Sequence, residues 1–287
     1  MKIIIPIKDK FDYIDQFKQV LSPNEPLFVF DRCEPPKGFT GQYKIHNDER
    51  NTFLAGKVRD FGAEGCYDDI MFFDQDKIPD INPERVLYDI NRNFFDCLIF
   101  FTERDNRQIA GNMFYRDDFI GWKKYFDTQN YLYTCGVWLS AKMIEKLRRL
   151  NGGRIFHPAF DGRWGEEDRF LGDEIVALGG KIGYISTVRL AQTSVGNAQQ
   201  HITDFSTNFG KRLQLRNVLS PKFMDPYLRI TWGEKLITDI DETAKRLKIV
   251  GDSLIEYKAC DPQDVNDPYF KESKRLFDMQ FPPSKYN

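Results

Sequence analysis

The sequence predicts an α/β fold, in which a mostly parallel sheet is flanked by helices and followed by a helical C-terminal extension. In the first hundred residues, short apolar runs alternate with segments whose apolar residues recur at helical spacing, which is typical of βαβ units. After residue 201 the pattern becomes mostly helical. We therefore expect an α/β domain over residues 1–201 and a mainly helical extension over residues 202–287.

The first half of the predicted sheet comes from four apolar runs, Lys2–Ile7, Leu27–Phe30, Ile70–Phe73 and Cys97–Phe101. Helical spacing of apolar residues predicts the helices between them, which start after Asp9, after Thr52, and at Pro83 behind Asn82. Asp, Thr and Asn are good N-cap residues, and proline is favoured in the first turn of a helix. We expect right-handed crossovers throughout.

The remaining elements are bounded by glycine pairs and caps. A strand over Tyr131–Leu139 runs into a helix that is capped by Ser140 and ends at Asn151-Gly152-Gly153. The elements expected after it are a helix over Glu166–Leu178, a strand over Lys181–Ser186, and helices over Asp204–Val218 and Trp232–Leu247.

Composition excludes several classes of protein. The chain has 287 residues, with 41 basic and 43 acidic side chains and a formal net charge of −2, which argues against purely electrostatic binding of nucleic acid. Apolar runs such as Cys97–Phe101 are far shorter than the roughly 18 residues of a transmembrane helix. The start, Met1–Pro6, is typical of a first strand, and the five scattered cysteines indicate reduced thiols. We therefore expect a cytoplasmic protein.

A first acidic motif, Asp74-Gln75-Asp76, directly follows the strand Ile70–Phe73. Open α/β sheets bind their ligands at the carboxyl ends of the strands. Two carboxylates one residue apart can both reach a hard divalent cation and, through it, a diphosphate. Taken alone, the motif is more typical of a solvated turn.

A second acidic motif, Trp164-Gly165-Glu166-Glu167-Asp168, opens a predicted helix. Carboxylates in a first turn complement the helix dipole, which is the simplest interpretation. However, Glu167 shares a helix face with Leu171 and Ile175 and so points toward the protein interior. A carboxylate there is costly unless it has a partner or a chemical task.

Together the two motifs resemble the metal-dependent glycosyltransferases of the Rossmann-like GT-A fold, over roughly Ile3 to His201. Asp74 and Asp76 match the Asp-x-Asp element that binds manganese, or magnesium, and the diphosphate of the sugar nucleotide. The 164–168 segment is similar to the Trp-Gly-Gly-Glu-Asp motif of β-1,4-galactosyltransferase-like enzymes, with Glu166 in place of the second glycine. The resemblance implies that Glu167 contacts the acceptor and that Asp168 is the general base.

The resemblance also assigns roles outside the two motifs. His201 lies 33 residues after Asp168, close to the spacing of a histidine metal ligand in those enzymes. The implied donor-binding positions are Pro6 before the nucleotide pocket, Asp31 at the base, Arg59 by the donor, Gly136 bordering the sugar, and Trp164.

The expected reaction moves a sugar from a nucleotide-sugar donor, preferably a UDP-sugar, to an acceptor hydroxyl. With Asp168 as base, a single displacement inverts the anomeric configuration. The acceptor is left open among a free or lipid-linked glycan, a protein, and a hydroxymethylated DNA base of the kind modified by phage enzymes. A set of basic residues is most simply a solvated helix face, but it also gives the DNA alternative its support, because phosphate contacts need only several such residues: Lys142, Lys146, Arg148, Arg149, Arg154, Arg163, Arg169, Lys211, Arg212, Arg216 and Lys222. Two other classes are a sugar nucleotidyltransferase and a non-catalytic binding module.

Overall fold

The computed structural model describes residues 1–9, 11–49, 54–89, 94–102, 135–163, 165–192, 202–223 and 233–254. The helices in these ranges are α1 (Ile14–Leu21), α2 (Ala55–Ala63), α3 (Pro83–Asp89), α4 (Ala141–Leu150), α5 (Glu167–Ala177), α6 (Ile202–Leu219) and α7 (Ile240–Asp252). The strands are β1 (Lys2–Ile7), β2 (Leu27–Asp31), β3 (Tyr43–His46), β4 (Ile70–Phe73), β5 (Lys77–Pro79), β6 (Cys97–Thr102), β7 (Gly136–Leu139) and β8 (Ile182–Gln192).

Over the described residues the strands form one sheet of eight, in the order β3-β2-β1-β4-β7-β6-β8-β5. The pairs β3–β2, β2–β1, β1–β4 and β6–β8 are parallel. β7 lies antiparallel between β4 and β6, and the short β5 pairs antiparallel with β8. The predicted α/β class with a mostly parallel sheet is confirmed, with β5 and β7 as its antiparallel strands.

Alternation of side chains along the strands creates two apolar layers. Ile4 belongs to the cluster that α2, α4 and α5 cover, whereas its neighbours Ile3 and Ile5 face the cluster that α1 and α3 cover. Successive side chains of a strand point to opposite faces, so a strand apolar at every position must be covered on both. This explains why the central strands are continuous apolar runs.

Helices α6 and α7 pack on one of these layers. Leu215 and Val218 of α6 and Leu247 of α7 are buried in the same apolar cluster as Ile4. The first two helices after residue 201 therefore share a core with the sheet. The boundary placed at residue 201 stays a prediction.

The predicted cap of the first helix was wrong. α1 begins at Ile14, after Tyr13, and not at Asp9. Asp9 instead contacts Gln75: its carboxylate accepts from Gln75 Nε2 at 2.8 Å, and Gln75 Oε1 accepts the backbone N–H of Lys8 at 2.8 Å. Asp9 therefore binds Gln75, which is distant in the sequence, and does not cap the helix as its local sequence predicted.

Two further elements differ from expectation. The helix predicted over Trp232–Leu247 begins only at Ile240, because the Asp239 carboxylate caps it by accepting from two backbone N–H groups at 3.0 Å. The residues before it bind elsewhere, since Leu236 and Ile237 donate to the carbonyl of Ala177 at 2.9 Å. The strand predicted over Lys181–Ser186 extends to Gln192, because it pairs with both β6 and β5.

The cysteines and the helices are relevant to the predicted cytoplasmic location of the protein. Among the described residues, Cys33, Cys66, Cys97 and Cys135 form no disulfide, and Cys260 lies outside them. Within the described ranges, no helix combines the length and the apolarity that crossing a membrane requires. The cytoplasmic location stays a prediction.

Candidate active site

The first acidic motif lies where β4 leaves the sheet. The N–H of Asp74 donates to the carbonyl of Cys135 at 3.1 Å, and its carbonyl accepts from the N–H of Lys77 at 3.0 Å, which makes a tight turn. Gln75 ties this turn to the loop after β1 through the bonds to Lys8 and Asp9. The motif therefore sits at the edge where the carboxyl ends of β1 and β4 meet, which is the usual ligand-binding edge of such sheets.

The second acidic motif turns sharply before α5. Gly165 and Glu166 both have positive φ, 88° and 69°. The left-handed region costs a non-glycine residue roughly 1 kcal/mol or more. Glu166 occupies this region and is only 1% exposed. Its carboxylate accepts hydrogen bonds from Arg169 at 2.7 Å and from Arg212 at 3.0 Å. These buried charge-assisted bonds offset the backbone strain.

Arg59 joins the two motifs. Its Nη2 lies 2.5 Å from Asp74 Oδ1, and its Nη1 lies 3.7 Å from Glu167 Oε1. The Arg59 side chain is 6% exposed, and its guanidinium carbon lies 5.7 Å from the centroid of the Phe156 ring. The guanidinium of Arg59, which α2 carries, thus contacts both the turn after β4 and the start of α5. These segments lie far apart in the sequence.

Glycines in α2 allow this placement. A Cβ on Gly62 would lie 2.6 Å from a methyl of Ile4, and one on Gly56 would lie 2.9 Å from the Phe156 Cβ. Both distances are shorter than side chains tolerate, so only glycine lets α2 lie this close to the sheet and to the chain before α5. Close packing on two sides holds Arg59 between the acidic motifs.

Burial governs the electrostatics of the second motif. It raises the pKa of Glu167 well above its ordinary value, and repulsion from Asp168 adds to the effect. Burial also raises the pKa of Asp168, while Arg169 partly offsets the shift. Among the described residues no group hydrogen-bonds Glu167 Oε2, although the side chain is only 11% exposed. Carboxyl groups with raised pKa at a ligand-binding edge are suited to proton transfer.

Asp31, the predicted base-contacting residue, ends β2 with its carboxylate engaged inside the protein. Oδ1 lies 2.9 Å from His46 Nδ1, and Oδ2 accepts from Arg32 at 2.9 Å. Sequence reasoning gave His46 no role, because only the parallel pairing of β2 and β3 brings it opposite Asp31. Pro6 lies near the end of β1, opposite Val29 of β2 and beyond the last pair that β1 makes with β4.

Gly136, predicted to border the donor sugar, has a packing role. It lies opposite Phe73 at the end of β4, directly before the Asp74 turn. A Cβ at Gly136 would lie 2.3 Å from a Leu190 methyl. The Leu190 side chain of β8 therefore fills the space over Gly136, and the donor role stays a prediction.

The remaining parts of the predicted metal and donor site are less complete. Asp76 lies in the turn after β4 with its carboxylate 3.7 Å from Lys77 Nζ. Trp164 and His201 lie outside the described residues. Within the part of the chain that the structure describes, no three His, Cys, Asp or Glu side chains are grouped as a metal site. The ligand set Asp74, Asp76 and His201 stays a prediction.

Most of the basic residues that favoured a DNA acceptor have partners inside the protein. Arg169 and Arg212 bind Glu166 in the interior, and Arg154 pairs with Asp60 and Asp161. Two other residues donate to backbone carbonyls: Arg148 to those of Ala63 and Cys66, and Lys211 to the carbonyl of Ala159. Two more form ion pairs with carboxylates at the surface: Arg149 with Asp241, and Lys222 with Glu234. Arg154, Arg169, Lys211 and Arg212 of the predicted DNA-binding set are therefore engaged within the protein, whereas Arg149 and Lys222 form ion pairs at its surface.

The sequence matches no protein-family model and no curated protein. Among solved structures it is similar to TarS from S. aureus, at 15% identity and a TM-score of 0.52 over 76% of this chain, and it spans 65% of the TarS chain. GalNAc-T7, solved with UDP, GalNAc and Mn²⁺, gives 11% identity and a TM-score of 0.49 over 89% of this chain and 56% of its own. The mannosyltransferase PcManGT from Pyrobaculum calidifontis was solved with GDP-Man and Mn²⁺. It is 12% identical in sequence, with a TM-score of 0.47, over 97% of this chain and 83% of the PcManGT chain. The similarity to TarS confirms the predicted GT-A fold.

Proposed function

We propose that the protein is a glycosyltransferase, which moves a sugar from a nucleotide-sugar donor to an acceptor hydroxyl. The observation that carries the proposal is the contact of Arg59 with both Asp74 and Glu167, since it brings the two acidic motifs to one place at the ligand-binding edge. A fold alone does not imply a function, whereas this arrangement of charged groups is specific to a site. Residues 1–201 form the catalytic domain in this proposal.

Arg59 and the acidic pair divide the work of the reaction. The Arg59 guanidinium is suited to the donor diphosphate, because a planar group with five N–H donors matches phosphate oxygens. Asp168 removes the proton of the acceptor hydroxyl as that oxygen attacks, and its raised pKa makes it a stronger base than an ordinary aspartate. Glu167 contacts the acceptor through the oxygen that no described group binds. Single displacement with inversion follows.

Asp74 and Asp76, with His201, are the residues that would hold Mn²⁺ or Mg²⁺. Two aspartates in one turn supply oxygen ligands that suit both cations, and the side chains retain 36% and 17% exposure at the sheet edge. When bound, the cation supplies charge neutralisation of the diphosphate leaving group. The contact of Asp74 with Arg59 places this turn next to the guanidinium proposed for the same diphosphate.

The acceptor is proposed to be a glycan. A DNA acceptor needs several basic residues that are available to phosphates. In this protein the described arginines near the second acidic motif, Arg154, Arg169 and Arg212, form ion pairs with buried or half-buried carboxylates. These three arginines are therefore removed from the set of basic residues on which a DNA acceptor was expected.

The experiment that tests the function incubates the protein with Mn²⁺ and a panel of UDP- and GDP-sugars, and measures nucleoside diphosphate release with and without saccharide acceptors. Release that depends on the donor and is lost in Asp168→Asn supports the proposal. Release of pyrophosphate indicates a nucleotidyltransferase. No release with any donor indicates a binding module. Intact-mass analysis of a hydroxymethylated oligonucleotide after the reaction tests the DNA acceptor.

A further inference from the structure

Glu166 is the position at which this chain departs from the glycosyltransferase motif that it resembles, and it is buried between two arginines. One carboxylate oxygen accepts from Arg169 at 2.7 Å, and the other accepts from Arg212 at 3.0 Å. The Glu166 side chain is 0% exposed, and the arginine side chains are 4% and 5% exposed. A glutamate in a left-handed conformation is strained where glycine is not, so these bonds hold the residue there.

Arg212 anchors this arrangement to α6. Its Nε and Nη2 bind both oxygens of Asp173, at 2.6 and 3.1 Å, while its Nη1 binds Glu166. On the same helix, Asn208 Nδ2 donates to the carbonyl of Gly165 at 2.7 Å and to that of Arg163 at 3.2 Å. Side chains of α6 therefore hold the 163–166 segment through its backbone and through Glu166.

The backbone of Glu166 sets the first turn of α5. Its carbonyl accepts the N–H of Phe170 at 2.9 Å, which is the first bond of the helix, and its side chain makes no cap bond. Glu167 and Asp168 are the next two residues, so their directions follow from where Glu166 is held. Moving a reacting group by about 1 Å is enough to lower a rate by roughly a hundredfold.

We propose that Glu166 and Arg212 are positioning residues, whose buried ion pair orients the carboxylates of Glu167 and Asp168. The inference rests on the proposed function and gives α6 a role in it: the helix fixes the loop that carries the acceptor-side acids. Neither residue touches the reacting groups in this scheme. Their effect reaches the site through the backbone of the 165–168 segment.

The test compares Glu166→Gly and Arg212→Lys with the wild-type protein. Glycine accepts the left-handed backbone without strain and removes the anchoring carboxylate. Lysine keeps a positive charge but lacks the planar fork that binds Asp173 and Glu166 together. Arg148→Met is the matched control, because Arg148 also joins two elements, and its hydrogen bonds go to the carbonyls of Ala63 and Cys66 at the end of α2.

Two readouts are measured for each variant: the kinetics of donor turnover, and amide hydrogen exchange of the peptide covering residues 165–170. We expect Glu166→Gly to lower kcat by roughly ten- to a hundredfold with the donor KM changed less than about threefold. We expect faster exchange in 165–170 for Glu166→Gly and Arg212→Lys, with Arg148→Met unchanged in both readouts. In the double variant the loss in kcat is no larger than in the more impaired single variant, because the two residues act through one pair.

Unchanged kcat in both single variants overturns the proposal, and so does unchanged exchange of the 165–170 peptide. A loss that falls on donor KM with kcat retained overturns it as well, because it places the effect on donor binding. If the wild-type protein turns over no donor, the proposed function fails separately. The exchange data then still show whether the Glu166–Arg212 pair holds the loop.

Discussion

Replacing Arg59 with methionine tests whether the guanidinium stabilises the two acidic motifs. Methionine keeps an unbranched side chain of similar length against the Phe156 ring and removes the charge. The variant leaves Glu167, whose side chain is 11% exposed, without the cation 3.7 Å from its Oε1. Glu167 then lies beside Asp168 without the cation that faced it, whereas Asp168 keeps the charge of Arg169 nearby.

The magnitude follows from the distance and from linkage. Two unit charges at 3.7 Å attract by about 4 kcal/mol at an effective dielectric constant of ~20. The contact with Asp74 adds less than about 1 kcal/mol, because that side chain is 36% exposed and screened by water. In Arg59→Met, Glu167 avoids the repulsion by keeping its proton to a higher pH than in the wild type. The loss of unfolding free energy caused by the substitution therefore depends on pH. This loss grows by at most about 1.4 kcal/mol per pH unit above the wild-type pKa of Glu167.

The assay is urea unfolding of Arg59→Met and wild-type protein at pH 5, 7 and 9. We expect the difference in unfolding free energy to be smallest at pH 5, where Glu167 is protonated in the folded state of both proteins because burial raises its pKa. The difference widens toward pH 9. The same comparison in a Glu167→Gln background is the control, and there the part of the pH dependence that comes from Glu167 should disappear, which leaves only the smaller part that Arg59 exerts on Asp168. A difference that is the same at all three pH values would refute the proposed pairing of Arg59 with Glu167.

Three further predictions concern the acids. Asp76→Ala should abolish metal-dependent donor binding measured by titration calorimetry with Mn²⁺, and normal binding would remove Asp76 from the ligand set. Asp168→Asn should retain donor affinity but lower turnover by about a hundredfold or more. The turnover of the wild-type protein should decrease as the pH is lowered, at a pH well above 3.8, since burial raises the pKa of Asp168. Because burial raises the folded-state pKa of Glu167 above 4.5, its contribution to stability is present at low pH and is lost as pH rises. Glu167→Gln should therefore gain stability over wild type from pH 5 to pH 9 in urea unfolding, and equal stability throughout would contradict the shift.

Much of the α/β layer was predictable from local pattern. The bounds of β1 and β4 match the apolar runs Lys2–Ile7 and Ile70–Phe73, because buried parallel strands need apolar residues on both faces. The cap of α4 was also predictable, since Ser140 accepts the N–H of Met143 within its own turn. Short strands such as β3 and β5 were missed, because their pairing partners, and not their own three or four residues, define them.

For the candidate site, the sequence by itself determined which chemical groups are available: one acidic motif after a strand, a second at the start of a helix, and an arginine in a helix that precedes both motifs. Only the tertiary structure decided that Arg59 contacts both motifs, that Asp31 is paired with His46, and that arginines such as Arg212 are buried anchors. Chemical type and local periodicity act over a few residues and can be read along the chain. Ion pairs between residues tens of positions apart exist only once the packing of helices on the sheet has brought the charges together and removed the water between them.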